Sequence, residues 1–321
     1  MARIIKSRFP KQGERLFRHE VAKCRDALLL CYNWIERELT TRERRTEVIG
    51  TLLLIAAAGV LLYMWIEAHR NRIRRQMMYF ETFPDAFDGL TIFFISDVHR
   101  RNIATQLLEE IDDQCDLVII GGDFAEKGVA EKRIERNLKR LTALAPCYFI
   151  WGNNDLEIES EVWERLFRVY RVTALKNSGV KLRKGKESLF IAGVDEREEI
   201  SEPVTDSSFY VEAEKERFSI LVSHFPEIRD ELPGSHPFSL ILSGHTHGGQ
   251  IRLFGWGLAE KGAIRTYQNF THLISNGYGT TAFPLRLAAP AETHLITLRK
   301  KQENTTGVLA VTAGNEESSF R

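Results

Sequence analysis

Net charge is absent from this sequence. Its 44 lysines and arginines are matched by 44 aspartates and glutamates, which argues against a nucleic-acid carrier working by bulk electrostatics, since such proteins are strongly basic. Cysteine is scarce. Cys24, Cys31, Cys115 and Cys147 include no CxxC pair and are too few for a disulfide framework, and their use leans towards a reducing compartment. Internal repeats are missing as well. A cleavable leader is not the expectation either: the long apolar run starts deep in the chain and is followed by arginines, without a small-residue cleavage pattern. What the 321 residues do have is apolar material, 43% of the total, enough to bury a full-sized core.

The apolar run is Val48–Ile66, nineteen residues without a charge. At about 1.5 Å per helical residue it covers about 28 Å, the thickness of a bilayer's hydrocarbon core. Tyr63 and Trp65 stand at one end, where amphipathic rings prefer the membrane interface. The expectation is a single-pass anchor in the cell membrane. Its orientation is undetermined: Arg37, Arg42, Arg44 and Arg45 precede it and Arg70, Arg72, Arg74 and Arg75 follow, so the positive-inside rule gives only a slight lean to a cytoplasmic catalytic domain. Upstream, Phe17, Val21, Cys24, Leu28, Cys31 and Ile35 recur at helical spacing. That stripe could pair with a second copy of the chain, lie on the membrane or cover part of the catalytic domain. The expected organisation is a basic, amphipathic helical segment over 1–47, the transmembrane helix over 48–66 and an arginine-rich linker over 67–87. A catalytic domain over 88–300 and a polar, disordered tail over 301–321 complete it.

Within 88–300, short apolar runs alternate with amphipathic stretches. Leu90–Ser96, Asp116–Gly122, Cys147–Gly152, Ser188–Val194, Ser219–Ser223 and Ser239–Gly244 read as buried strands. Ile103–Gln114, Val129–Leu144 and Glu159–Phe167 read as helices. The alternation predicts an α/β layered fold with helices outside the sheets. FTHLISNG and ETHLITLRK near the end, with no long helix between them, suggest an added antiparallel portion.

Five of these strands end in polar residues: Asp97-Val98-His99, Gly121-Gly122-Asp123, Gly152-Asn153-Asn154-Asp155, His224, and Gly244-His245-Thr246-His247-Gly248-Gly249. Loops at the carboxyl ends of strands converge on ligands in open α/β sheets. Carboxylate and imidazole donors suit hard or borderline divalent ions, and an Asp-x-His or His-x-His pair can reach one ion from one loop. A carboxylate can bridge two ions, and the neighbouring glycines let backbone and substrate approach. Each motif alone is weak. Their order and spacing together are specific.

D-x-H, GGD, GNND, a strand-end His and GHTH resemble the calcineurin-like metallophosphoesterase superfamily. GHTHGGQIRLFG followed by SNGYGTTAFPLRLAAPAETHLITL resembles its small bacterial, membrane-associated branch. The resemblance implies a layered β-sandwich flanked by helices and two divalent ions, Mn²⁺ first and Fe or Zn as alternatives. It implies Asp97, His99 and His247 at one ion, Asn153, His224 and His245 at the other, and Asp123 between them. In much of that family a His follows the metal-binding Asn and protonates the leaving group or grips the phosphate. Here the position is Asn154, which can bond a phosphate oxygen but is no general acid near neutral pH.

The expected function is therefore a membrane-anchored, dinuclear phosphoesterase that attacks a phosphodiester or pyrophosphate bond with metal-bound hydroxide. The bilayer makes a lipid-linked phosphoester an attractive substrate. A nucleotide-linked lipid precursor is the leading alternative, a soluble nucleotide or cyclic dinucleotide a further one, and a catalytically weak membrane scaffold the reading from another class. No stable nucleic-acid partner is expected. Arg100 and Arg101 are candidate phosphate contacts, Asp155 a candidate support for the Asn154 loop, and His236 a candidate substitute acid. His272 and His294 read as structural, and Asp195 as a loop cap.

Overall fold

The structure, a computed structural model, describes residues 22–23, 25–34, 42–195 and 204–302. Phe17, Val21, Cys24 and Ile35 of the expected stripe, and 303–321 of the expected tail, lie outside the described residues. The chain divides into two compact units after Leu62.

In the first unit, residues 25–34 are helical, with Leu28 and Cys31 exposed. The long helix Arg42–His69 begins there and contains the whole charge-free run. Leu52, Leu53, Leu54 and Ile55 are consecutive and all exposed. A surface helix of a soluble domain buries one apolar stripe instead. Arg44–His69 holds an 18-residue window of mean hydropathy 2.2 and is long enough to cross a membrane.

The second unit, from Tyr63 onward, is a sandwich of two six-stranded sheets flanked by helices. One sheet has the order β1 (Ile73–Phe80), β12 (Thr293–Lys300), β2 (Thr91–Ile95), β3 (Leu117–Gly121), β4 (Cys147–Ile150) and β5 (Thr173–Leu175). The other runs β10 (Ala263–Thr266), β11 (Thr271–Ile274), β9 (Phe238–Ser243), β8 (Ser219–Ser223), β7 (Glu187–Val194) and β6 (Ser178–Lys184). β2 to β5 are parallel, as are β11, β9, β8 and β7. Parallel neighbours bring their carboxyl ends to one edge of each sheet.

Alternation along the strands explains the layers, since successive side chains point to opposite faces. Ile92, Phe94, Leu117, Ile119 and Ile150 pack between the sheets against Ile220, Val222, Leu240 and Leu242. Phe93, Ile95, Val118, Ile120 and Phe149 face outward instead, onto Leu107, Leu138 and Trp163 of helices Thr105–Glu109, Glu131–Thr142 and Ser160–Tyr170. Leu221 and Ile241 pack on Phe209, Tyr210 and Ala213 of helix Ser208–Glu214, with Ile228 beside them.

Two expectations need correction. Residues 67–87 are not a linker, because β1 lies among them and pairs with β12 along its whole length. The late strands do not form one antiparallel addition either. β11 joins the second sheet parallel to β9, whereas β12 enters the first sheet antiparallel to β2.

Deletion of residues 1–87 therefore removes a strand and uncovers β12, while a chain starting at Tyr63 keeps β1. Met78 of β1 is fully buried, and its loss with the ladder bonds amounts to several kcal/mol. At about 2–4 °C per kcal/mol in a domain of this size, the shorter chain should melt on the order of 10 °C lower. Equal thermal unfolding curves would show that β1 is no part of the folding unit.

Candidate metal centre at the strand ends

The loops after β2, β3 and β4 come from neighbouring strands of one sheet, and those after β8 and β9 from neighbouring strands of the other. Their donors meet in two groups. Asp97, His99 and His247 have ligand atoms within 4.8 Å of one another, and so do Asp123, His224 and His245. Asp123 lies between the groups: its Oδ2 is 3.7 Å from His99 Nε2 and 3.3 Å from His224 Nε2. His99 Nε2 is 3.0 Å from His247 Nε2, and His245 Nδ1 is 3.2 Å from His224 Nε2. Asn153 is exposed, at the head of the short helix Asn154–Glu157.

These donors fit divalent cations. Asp97 Oδ2 is buried without a hydrogen-bond partner, an expensive state for a carboxylate oxygen. Ring nitrogens facing each other at 3.0 Å can share one proton at most, whereas a cation accepts both lone pairs. The backbone is strained where it delivers them. Asp97, His99, Asp123, His245 and His247 all have φ between 49° and 68°, a left-handed region that costs non-glycine residues about 1–3 kcal/mol each. Close approach does the rest: a Cβ on Gly152 would stand 2.2 Å from the Asp123 nitrogen, so only glycine lets the β4 loop come this close to Asp123.

Charge within the clusters is interdependent. Burial alone would raise Asp123, but His224, His99 and the Asn154 N–H hold it below the usual carboxylate range. Burial would likewise lower His224, yet the Asp123 charge holds it above its ordinary value. Burial drives His247 down to about 3 against the pull of Asp97, with His99 and Arg286 assisting, so this ring is a neutral donor. A cation entering the second cluster competes with a proton on His224, which makes binding weaker in acid.

Several side chains take different places from those the sequence suggested. Asn154 faces Asp123, donating from its backbone N–H to Oδ1 at 2.8 Å and from Nδ2 to Oδ2 at 2.6 Å. It positions the central carboxylate. Arg100 is drawn to Glu126 and to the Lys127 carbonyl. Arg101 stacks 3.8 Å above the Tyr278 ring and donates to the carbonyls of Tyr278, His69 and Arg70. Arg101 is committed to these partners, whereas the Arg100 side chain remains largely exposed. Asp155 is buried and accepts from the backbone of Ala125 and Gly152, tying the β3 loop to the β4 loop. His236 precedes β9, whereas His245 follows it. At about 3.3 Å per residue, six residues set about 20 Å between those ends, too far for His236 to protonate a leaving group. His272 and His294 bond Ser243 and Ser275 inside the sheets, and the Asp195 backbone pairs with Asn177.

Two functional residues escaped the sequence reading. Glu126 accepts from His99 Nδ1 at 2.9 Å, fixing the ring so that Nε2 faces the cluster. Its only sequence signal is its position three residues after Asp123. Arg286 is fully buried and donates to the carbonyls of His247, Asn276, Gly279 and Ala289. Burial pushes its pKa down to about 10. The cation holds the His247 loop against the 276–289 segment, and nothing local in its sequence marks it.

Residues 90–249, which include all seven expected ligands, match the family model for calcineurin-like phosphoesterases. The chain is 42% identical over 260 residues to YpbG of Bacillus subtilis, a match covering 78% of this chain and 96% of that protein. It is 26% identical over 302 residues to a transmembrane protein with metallophosphoesterase domain from Danio rerio, covering 84% and 69%. It is 24% identical over 229 residues to the phosphodiesterase YaeI of Escherichia coli, covering 65% and 79%.

Replacing Glu126 frees the His99 ring without touching a cluster member. Glu126→Ala should weaken metal binding by about 10–100-fold, measured by titration calorimetry with Mn²⁺. Unchanged affinity would mean that the carboxylate serves Arg100 alone.

Proposed function

Because the chain belongs to the calcineurin-like phosphoesterase family, we propose that it is a membrane-anchored hydrolase of phosphodiester or pyrophosphate bonds working with two divalent ions. Family membership makes it a metal-dependent hydrolase of phosphoester bonds. The two-ion reading is carried by one observation: both clusters lie within reach of the same Asp123 oxygen. Asp97, His99 and His247 would hold one ion, His224, His245 and Asn153 the other, and Asp123 both. Mn²⁺ is our first choice for this oxygen and nitrogen set, with Fe or Zn as alternatives. When bound, such a pair neutralises charge on the phosphoryl oxygens and acidifies an attacking water.

The chain's own residues keep the donors ready. Glu126 turns His99, Asn154 grips Asp123, and Arg286 holds the loop bearing His247. An amide at 154 bonded to a carboxylate supplies no proton to a leaving group. The apolar helix supports a substrate at the bilayer surface, with a lipid-linked phosphodiester or pyrophosphate first and a nucleotide-linked lipid precursor as the leading specific case.

Metal-dependent turnover tests the reading, with purified full-length protein and Mn²⁺ screened against nucleotides, chromogenic diesters and lipid pyrophosphates. Asp123→Ala should bring turnover to background and lower the metal count per chain. A variant retaining native metal content and near-native rate would remove Asp123 from the bridging role.

Leaving-group chemistry gives a separate measure. Without a dedicated acid, aryl diesters should outpace alkyl diesters by about the 10²–10⁴-fold that general acid catalysis is worth. Equal rates on matched aryl and alkyl substrates would show that a proton donor is present.

A further inference from the structure

Past the His247 loop the chain displays apolar side chains that nothing covers among the described residues. Phe254 and Leu258 are fully exposed, Trp256 is 84% and Phe283 72% exposed, and Leu253 is 60% exposed. Scattered exposed hydrophobics are ordinary, but a contiguous group marks an interaction site. The two segments that carry this group are joined. Arg252 N–H donates to Leu287 O at 2.9 Å, Leu287 N–H to Gln250 O at 3.0 Å, and Gln250 Nε2 to Phe283 O at 3.1 Å.

The projection is built, not loose. Leu253 and Trp256 exchange backbone hydrogen bonds at 2.9 Å, leaving Phe254-Gly255 as a two-residue tip. Both tip residues have positive φ, 51° and 86°, as a tight hairpin turn requires. Behind the tip the Arg252 guanidinium donates to the carbonyls of Gly248, Gly255 and Ala259. Gly248 directly follows His247, so the hairpin is fastened to the metal-binding loop.

We propose that this hairpin, with Leu258 and Phe283, inserts into the surface of the bilayer that holds Val48–Ile66, setting the metal centre at headgroup level to take amphiphilic phosphoesters from the membrane. The proposal rests on the membrane-anchor reading above. Continuity with that anchor selects lipid as the occupant. Met64, near the end of the apolar run, accepts from the Arg286 N–H at 3.0 Å, three residues from Phe283. The same Arg286 donates to His247 O. One residue thus joins the end of the span, the apolar surface and the metal loop. Trp and Phe are also the side chains that settle at a membrane interface, alongside Tyr63 and Trp65.

Tryptophan emission of the full-length chain in vesicles containing lipids brominated high on their acyl chains tests this. Native minus Trp256→Phe isolates the hairpin, and native minus Trp65→Phe isolates the end of the span. Brominated lipid should remove about half or more of both contributions, as for rings seated ~5–10 Å into the headgroup boundary. Trp65 quenched with Trp256 untouched would overturn the proposal and leave the anchor standing. Neither quenched would take down the anchor and the proposal together. A Trp256 contribution that ignores bromine yet is sheltered from aqueous acrylamide would replace the bilayer with a protein partner.

Discussion

Two carboxylates and four imidazoles are held in one place with their oxygens and ring nitrogens turned towards each other, and most of the surrounding structure serves to tolerate that. Five of the six, with only His245 partly open, are buried. Burying the Asp97 Oδ2 oxygen without a hydrogen-bond partner costs about 1–3 kcal/mol, and five of these residues add left-handed backbone strain. Cations at the two clusters would satisfy the facing nitrogens and the orphaned Asp97 oxygen together.

The constraint divides between two sheets. Asp97, His99 and Asp123 come from one and His224, His245 and His247 from the other. Their spacing is therefore set by the apolar layer between the sheets, where Phe94 and Ile119 meet Val222 and Leu242. Interior packing at crystal-like density transmits small displacements, so core substitutions in this layer act on both metal clusters. Around them, Asn154, Glu126 and Arg286 each hold one ligand still, and Asp155 ties the two loops that flank Asp123.

Coupling extends from the centre to the segment leaving the apolar helix. Arg101, two residues after His99, gathers the carbonyls of His69, Arg70 and Tyr278 and stacks on the Tyr278 ring. Asn71 completes the knot by accepting from both Arg101 and the Tyr278 hydroxyl. The chain leaving the apolar helix is thus folded against a loop that starts at a member of the first cluster. This is why β1 and its approach belong to the catalytic unit and do not behave as a tether.

The central strands were legible because each is a short apolar run that ends in a polar loop, and two-sided burial writes itself as such a run. β1, β6 and β10 were not. They are edge strands, half exposed, and Arg74, Arg75, Lys181 and Arg183 hide the alternation that remains. The sequence by itself determined the donor types, their order and their placement at strand ends, since those follow from local pattern. Tertiary structure alone decided which donors share a cluster, that Asn154 bonds Asp123 and Arg101 packs on Tyr278, and that Glu126 and Arg286 hold His99 and the His247 loop. Those outcomes depend on contacts between residues far apart in the chain, up to the 177 residues separating Arg101 from Tyr278, and no local periodicity records them.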